Sequence, residues 1–291
     1  MAIQNLDRFS PKKVVILGAG SSGLSVAWGL AGKKGYDVSI LESSLEVGGF
    51  SKTIAHNGIR FDIGPHRLSP QLPEIIDKIR TLLDDDLLLI ENLHGIYFNG
   101  MIFSYPPRFS DLSKKEVLKN VMKFATSWVS ARLDATFNKW LGKSRTSTFN
   151  SLLISAFGKN ICKEVIFPMI TKVWGTTDLH SDFARIRFEI PTFANMCRKL
   201  FSQHRKNYYY YPSRGFGTIF NTLHKFLLEK GYAIKLGTHV IRIKAQSLNG
   251  PFDVIYSFNG EEKTIRADIL VSSISNKQLL TYLSETGLVD P

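Results

Sequence analysis

The sequence predicts an α/β protein with a parallel sheet, a small antiparallel sheet and an inserted, mainly helical domain. The apolar run from Val14 to Leu17 leads directly into a glycine-rich turn and a helix-forming segment, which is the order typical of a parallel sheet. Two Asn-Gly pairs separate short apolar runs and indicate antiparallel hairpins. The pattern from Ser113 to about Arg205 is mainly helical.

The first predicted strand and the elements after it follow a strand, helix, strand order. Val14 to Leu17 is a continuous aliphatic run, as expected for a strand that is buried on both faces of a parallel sheet. A helix is predicted from about Gly23 to Lys34, and Val38 to Leu41 is predicted to be the second strand.

The glycines after the first strand have the spacing of a dinucleotide-binding turn. Gly18 permits the tight turn, and Gly20 lets the backbone approach a pyrophosphate. Gly23 allows the following helix to pack closely on the strand. The amides at the N-terminus of that helix are then directed at the phosphates.

A carboxylate stands where a cofactor ribose is expected. Glu42 lies at the end of the second strand, 19 positions after Gly23. It can accept hydrogen bonds from an adenosine ribose, and it would repel the extra phosphate of NADP. The alternative is a plain glycine turn and a surface glutamate. The strand before the turn, the helix after it and the position of the acid favour the cofactor.

The next segment distinguishes FAD from NAD. Val47 to Ser51, with sequence VGGFS, begins five residues after Glu42. This series of motifs resembles the flavoprotein superfamily of amine oxidases, protoporphyrinogen oxidase, phytoene desaturases and UDP-galactopyranose mutase. The resemblance implies that the Gly-Gly segment closes over the FAD pyrophosphate. It also implies that Asp62 to His66 lies beside the isoalloxazine; the alternative is a Gly-Pro turn with an ordinary loop histidine.

A third cofactor contact follows from the same resemblance. Tyr211 to Gly217 and the later run Lys235 to Arg242 resemble the segments before this contact, so Val240 would hold the adenine through its backbone. A plain strand with a buried valine is the alternative. The predicted cofactor-binding residues are Gly18, Gly20, Ser21, Ser22, Gly23, Glu42, Gly48, Gly49, Phe50, Ser51, Gly64, His66, Arg67 and Val240.

The helical insertion carries a second resemblance, to a substrate-binding segment of the mutases. Thr171 to Gly175 and the later run Arg185 to Pro191 are similar to that region. The likeness implies that Trp174 lines the substrate cleft and that Lys172 neutralises a phosphate. A core tryptophan and a solvated lysine are the alternatives. The mutases have an arginine after Ile-Pro where this chain has Thr192, which weakens the expectation of mutase activity. No catalytic residue is assigned, and no metal ligands are expected.

The predicted domain organisation is discontinuous. Residues 1–92 and 212–291 are predicted to form the FAD-binding domain, and residues 93–211 a hairpin and helical substrate domain. Glycines and prolines would interrupt the helices of the insertion at Gly142, Gly158, Pro168, Gly175 and Pro191. The elements predicted after the insertion are a helix from about Thr218 to Lys230, a strand from Ala233 to Ile243, a hairpin at Asn259-Gly260 and a buried strand from Ala267 to Ser273 that rejoins the parallel sheet.

Charge and composition limit the partners. The formal net charge of +12 favours anionic partners, such as nucleotide-linked or lipid-linked substrates or an acidic membrane surface. Nucleic acid is not expected, because the tyrosines of the basic run Arg198 to Tyr211 belong to the segment already explained by the resemblance. The basic amphipathic segment Lys114 to Arg132 could contact a membrane peripherally, but a core-facing helix is the favoured interpretation.

Cysteine usage and the N-terminus predict a cytoplasmic protein. Cys162 and Cys197 fit no CxxC or zinc spacing and are expected to be reduced thiols. Met1 to Ser10 lacks the apolar core of a signal peptide, and no apolar run reaches the length of a membrane span.

The family resemblance covers essentially all 291 residues and stops before the family's final flavin-contacting segment. This implies a fragment, a natural truncation or one half of a split protein with a C-terminal partner chain. The expected function is that of an FAD-dependent oxidoreductase that acts on a small molecule. A mutase-type non-redox isomerase and a truncated, non-catalytic dinucleotide-binding module are the alternatives.

Overall fold

The computed structural model describes residues 10–92, 94–98, 101–105, 115–141, 148–177 and 208–288. Its strands are β1 Lys12–Leu17, β2 Tyr36–Leu41, β3 Thr53–His56, β4 Ile59–Asp62, β5 Leu87–Glu91, β6 His94–Phe98, β7 Met101–Tyr105, β8 Tyr208–Pro212, β9 Ala233–Lys235, β10 His239–Ala245, β11 Phe252–Phe258, β12 Glu261–Ala267 and β13 Ile269–Ser272. Its α-helices are α1 Ser21–Leu30, α2 Pro73–Leu82, α3 Lys115–Trp140, α4 Phe149–Phe157, α5 Lys159–Ile161, α6 Phe167–Trp174, α7 Gly217–Glu229 and α8 Asn276–Leu283.

The chain divides into two compact units. The first unit combines Met1–Glu91 with Asn207–Pro291, and the second is Asn92–Lys206. The first unit resumes five residues before the expected boundary at 212, because β8 pairs with β5 in an antiparallel ladder.

A four-stranded parallel sheet with the order β13-β1-β2-β9 forms the centre of the first unit. Residues 14 to 17 of β1 are at most 2% exposed, as their apolar run predicts. The returning strand β13 does rejoin this sheet. It is shorter than expected, and it is not buried: it lies at the edge, where Ile269 is 37% exposed, and Ala267 belongs to β12 instead.

The strand expected from Ala233 to Ile243 is two strands in two different sheets. β9 pairs with β2, whereas β10 pairs with β11 in a three-stranded antiparallel sheet. The chain turns at Gly237, whose φ of +63° lies in the left-handed region. The Gly237 amide donates to the Ser44 carbonyl at 2.9 Å, so a distant loop fixes the position of the break.

Both hairpins have the expected strands. β11 and β12 flank Asn259 and Gly260, whose φ values of +53° and +82° fit a type I′ turn. β6 pairs with β7, with Phe98 opposite Met101. The first Asn-Gly turn itself, Asn99-Gly100, lies outside the described residues.

Both faces of the parallel sheet are covered in the first unit, one by helices and the other by an antiparallel sheet with one helix. α1 and α7 bury Leu24, Leu223 and Leu227 on one face. On the other face, the sheet packs against the β10–β12 sheet and α8.

In the second unit, α4 and α6 share a small core around Phe149 and Ile170. Gly158 ends α4, as predicted, with a φ of +87°. Glycine is required there because a Cβ would lie 2.8 Å from the Ser127 backbone. Gly175 caps α6, as predicted, with a φ of +74°. Pro168 does not end the helical path, which runs from α5 through a π-helical segment, Cys162–Ile166, into α6. Pro168 lies in the first turn of α6, directly after the π-helical segment. Gly142 and Pro191 lie outside the described residues.

One face of α3 packs on the second unit, as the core-facing interpretation expects, but a second apolar face is exposed. Trp128 is half-buried, and its indole Nε1 donates to the Ala156 carbonyl at 3.0 Å. Leu118 and Met122 are instead 46% and 60% exposed, on a face that continues to the exposed Phe137. Contact of this face with a membrane stays a prediction. Among the described helices, none combines the length and the hydropathy needed to cross a membrane.

Candidate functional site

The turn between β1 and α1 is built on two glycines that tolerate no side chain. Gly18 has a φ of +95°, and a Cβ there would lie 2.7 Å from the Ser273 hydroxyl. A Cβ on Gly23 would lie 2.0 Å from the Gly18 carbonyl oxygen. Both glycines are therefore required by the close approach of α1 to the sheet.

The N-terminus of α1 presents free backbone donors. The helix starts at Ser21, two residues earlier than expected, and its first intrahelical bond runs from the Leu24 amide to the Gly20 carbonyl at 3.0 Å. The amides of residues 21 to 23 consequently have no acceptor within the helix. A Cβ on Gly20 would meet only the Gly49 Cα, at 4.0 Å, so the space beside this residue is open.

The structure brings the two glycine segments together. Gly20 and Gly48 form an isolated parallel bridge, and the Gly48 amide donates to the Ala19 carbonyl at 2.8 Å. Gly48 and Gly49 have φ values of +97° and +55°. We call the surface formed by Gly20, the first turn of α1 and Gly48–Gly49 the glycine cradle.

Glu42 is fixed beside the glycine cradle by two backbone donors. Its Oε2 accepts from the Ala19 amide at 2.7 Å, and its Oε1 accepts from the Ser44 amide at 2.8 Å. Oε1 also accepts from the Ser43 hydroxyl at 3.3 Å, so it is Oε2 that keeps a lone pair with which the side chain can accept from a ribose hydroxyl. Glu42 thus has a second role, unforeseen from the sequence, because it holds the turn in place.

The segment that leads to Val240 is bonded to Glu42. The Thr238 amide donates to the Glu42 carbonyl at 2.8 Å, and Thr238 is 1% exposed. Val240 itself is half-buried, next to a β-bulge between Val240 and Arg242. The start of β10 is therefore anchored at the carboxyl end of β2. Sequence reasoning gave Thr238 no role.

The Gly-Pro-His segment folds onto the segment after the cradle. His66 Nε2 donates to the Phe50 carbonyl at 2.9 Å, and the imidazole stacks on Phe216 with 5.1 Å between ring centroids. A Cβ on Gly64 would contact this imidazole at 3.4 Å. Phe50 is 84% exposed and Ser51 is 8% exposed. Arg67 is exposed.

A hydrogen-bond network centred on Asp62 was missed by sequence reasoning. Asp62 Oδ1 accepts from the Thr53 hydroxyl and from the Phe216 amide, at 2.5 and 3.2 Å. Its Oδ2 accepts from the Tyr211 hydroxyl. Thr53 Oγ1 in turn accepts from the Gly217 amide at 2.8 Å. The network fastens β3 and β4 to the start of α7. A carboxylate at the end of a strand was the one sequence signal that pointed to it.

The environment of Tyr211 makes the stability of the first unit depend on pH. Burial, together with the hydrogen bond to Asp62, raises the pKa of Tyr211 from its ordinary value of 10.0 to about 12. The native state therefore keeps the phenol proton at a pH where the unfolded chain releases it. The stabilisation is complete below about pH 10 and is lost as the pH rises through about 12.

We expect Tyr211→Phe to flatten this alkaline loss of stability. The measurement is urea unfolding at pH 8 and at pH 11 for the wild type and the variant. The variant should lose less free energy of unfolding between the two pH values than the wild type does. Tyr36→Phe, which removes an exposed phenol from β2, is the control and should behave as the wild type. Equal losses for Tyr211→Phe and the wild type would contradict the assignment.

The predicted substrate residues lie in the second unit, in the last turn of α6. Trp174 is 38% exposed, and Lys172 is exposed. Residues two apart in a helix point about 200° apart around its axis, so the two side chains do not share a face of α6. Thr192 and the run Arg185 to Pro191 lie outside the described residues.

Cys162 is a free, fully buried thiol in the core of the second unit. Burial raises the pKa of the Cys162 thiol to about 11, which keeps it protonated and unreactive at neutral pH. Cys197 lies outside the described residues.

Comparisons of the sequence with known proteins match the segment that contains the glycine cradle. The sequence profile of the NAD(P)-binding Rossmann-like domain family matches residues 16–82. A 1-hydroxycarotenoid 3,4-desaturase from Flavobacterium sp. (strain P99-3) is 42% identical over 110 residues, which cover 36% of this chain and 22% of the desaturase. Protoporphyrinogen oxidase 2, chloroplastic/mitochondrial, from Arabidopsis thaliana is 24% identical over 199 residues, which cover 67% of this chain and 38% of that protein.

The overall fold is similar to that of a reduced UDP-galactopyranose mutase. The TM-score is 0.67 at 17% sequence identity, and the similarity covers 93% of this chain and 56% of the mutase. The sequence matches cover at most 38% of the length of the desaturase and of the protoporphyrinogen oxidase. The resemblance drawn from the motifs and the expected α/β fold are confirmed. Residues 16–82 thus match the NAD(P)-binding Rossmann-like domain family, and the chain is similar in sequence to a carotenoid desaturase and to a protoporphyrinogen oxidase.

Proposed function

We propose that this chain binds FAD in the glycine cradle and belongs to an FAD-dependent oxidoreductase. The observation that carries the proposal is the contact between the two glycine segments, Gly20 with Gly48, beside the fixed carboxylate of Glu42. A single glycine turn would serve many dinucleotides. A second Gly-Gly segment packed against the first is the feature that favours FAD.

The residues around the cradle fit the parts of such a cofactor. The amides of residues 21 to 23 would hold the pyrophosphate, with the open space at Gly20 allowing its close approach. Glu42 would accept from the ribose, and the backbone at Val240 would hold the adenine. Bound FAD would supply the redox chemistry, and the protein would bind, orient and tune it. The loop that His66 fixes to Phe50 would lie beside the flavin ring and exclude water from it.

We expect Gly20→Ala to weaken FAD binding at least tenfold, because the new methyl group would occupy the space that the pyrophosphate needs. The backbone at Gly20 has a φ of −73°, which alanine adopts readily, and its Cβ would meet no atom closer than 4.0 Å. The fold should therefore survive. The measurement is the FAD dissociation constant from flavin fluorescence, together with the visible absorption spectrum of the purified chain.

Gly29→Ala is the matched control. Gly29 lies in the same helix, and a Cβ there would meet nothing within 4 Å. This variant should bind FAD as the wild type does. A wild-type chain that folds cooperatively and ignores added FAD would overturn the proposal, and so would equal affinities for the two variants.

A non-redox isomerase of the mutase type is the second candidate function. It is favoured by the fold similarity to UDP-galactopyranose mutase and by the fixed Gly64-Pro65-His66 loop. Of the two predicted substrate residues, which lie on different faces of α6, Trp174 would then contact the nucleotide-linked substrate. The test is incubation of the chain with reduced flavin and UDP-galactopyranose, followed by separation of the products. Absence of the furanose form would exclude this candidate.

A non-catalytic dinucleotide-binding module is the third candidate, and it differs from the first two in turnover alone. It would bind FAD in the glycine cradle and reduce no acceptor in the presence of amines, polyenes or porphyrinogens. We also propose a cytoplasmic location and peripheral contact of α3 with an anionic membrane, whichever of the three candidates is correct. Liposome flotation tests the membrane contact directly.

A further inference from the structure

A second polar pocket lies in the first unit outside the glycine cradle. Its volume is about 280 Å³, and it lies between the β3–β4 hairpin and the outer face of α7. None of the residues that line it belongs to the predicted cofactor site. This volume is near the lower limit of about 300 Å³ for small-molecule sites, so it suits a small group rather than a whole dinucleotide.

One wall of the pocket is the polar face of α7. Thr218, Thr222 and Lys225 line it, and their spacing of four and three residues places them on one face of the helix. The opposite face carries Leu223 and Leu227, which are at most 1% exposed in the core. Burial of the apolar face therefore directs hydroxyl and ammonium donors into the pocket.

The other wall is one face of the β3–β4 hairpin. Thr53 and Ala55 are two apart in β3 and so point to the same side. Arg60 lies directly opposite Ala55 in the antiparallel ladder and therefore shares that side. The register of the hairpin thus turns the Arg60 guanidinium towards α7.

The charge of this pocket is positive and largely uncompensated. Arg60, Arg214 and Lys225 line it, and none of the described residues that line it is a carboxylate. Within the described residues, Arg60 and Lys225 have no ion pair, and Arg214 uses only its Nε in a 3.6 Å pair with Asp86. The nearby acid Asp62 already accepts from three donors.

We infer that this pocket binds the phosphate group of a small anionic molecule. Three cations around one pocket repel each other, and a bound anion would relieve that repulsion. Guanidinium groups match phosphate oxygens with paired donors, and the threonine hydroxyls supply further donors. The inference is independent of FAD binding, because it uses none of the residues of the cradle.

The test uses inorganic pyrophosphate as the probe and the whole 291-residue chain. Arg60→Gln and Lys225→Gln should each weaken pyrophosphate binding about tenfold, measured by calorimetry at low ionic strength, since each removes a charge-assisted contact. Arg266→Gln and Lys277→Gln are matched controls on an exposed strand position and an exposed helix position, and they should bind as the wild type does.

The other outcomes separate this pocket from the cradle and from non-specific attraction. If Gly20→Ala weakens pyrophosphate binding while Arg60→Gln does not, the ion binds in the cradle and the inference is wrong. If all four charge variants weaken binding equally, the attraction is general and the inference is again wrong. Absence of measurable binding at millimolar pyrophosphate would also overturn it. Thermal unfolding of each variant confirms that the fold is retained.

Discussion

Gly23→Ala is expected to destabilise the first unit by about 3 kcal/mol, at the upper end of the cost of overpacking. The new Cβ would lie 2.0 Å from the Gly18 carbonyl oxygen and 2.9 Å from the Ser273 hydroxyl. Neither atom can move freely. The Gly18 amide donates to the Leu41 carbonyl at 2.8 Å, and the Ser273 hydroxyl donates to the Leu17 carbonyl at 2.9 Å.

Relief of this clash requires α1 to move away from β1. That movement would expose Leu24 and Ala27, both of which have no exposed surface in the native fold. It would also displace the amides at the start of α1, so FAD binding should be lost together with stability. The measurement is the free energy of unfolding from denaturant titration, with FAD affinity as a second readout.

Gly29→Ala separates the clash from the general effect of replacing a helical glycine. The same substitution at this exposed position of α1 should stabilise the protein by about 0.5 to 1 kcal/mol, because alanine restricts the unfolded chain. The two variants should therefore differ in sign. A Gly23→Ala variant as stable as the wild type would show that α1 and β1 are not packed as closely as described.

The glycine turn could be predicted from sequence because its determinants are local. A buried strand selects for aliphatic residues, whereas a residue with positive φ and a close helix contact select for glycine, all at fixed spacing. The strand starts at Lys12, two residues before the apolar run, because the exposed Lys12 and Lys13 pair with β2 without burying their side chains. Hydrophobic pattern cannot detect such residues.

Other elements depend on contacts that are distant in sequence. The run Ala233 to Ile243 has the composition of one strand, yet it divides at Gly237, where the amides of Gly237 and Thr238 bond to Ser44 and Glu42. The exposed apolar face of α3 is a similar case, since periodicity shows that a helix is amphipathic but not which face is covered. The local sequence therefore predicts neither the break at Gly237 nor the exposed face of α3.

Asp62→Ala is expected to lower the free energy of unfolding by about 3 kcal/mol, because it removes one acceptor that serves three donors. The hydroxyls of Thr53 and Tyr211 and the amide of Phe216 would all lose their partner in a partly buried site. These donors lie up to 154 residues from Asp62 in sequence, so the network joins β3 and β4 to the start of α7. The measurement is denaturant unfolding at pH 7, where the Tyr211 phenol is neutral in both states.

Two comparisons separate the network from a general effect of removing an aspartate. Asp37→Ala, at an exposed position of β2, should change the free energy of unfolding by no more than about 0.5 kcal/mol. In a Tyr211→Phe background, Asp62→Ala should cost less than in the wild type, since one of the three donors is already absent. Additive costs would mean that Tyr211 and Asp62 stabilise the fold separately. A smaller combined cost would identify the pair as the link between the β3–β4 hairpin and the segment that leads into α7.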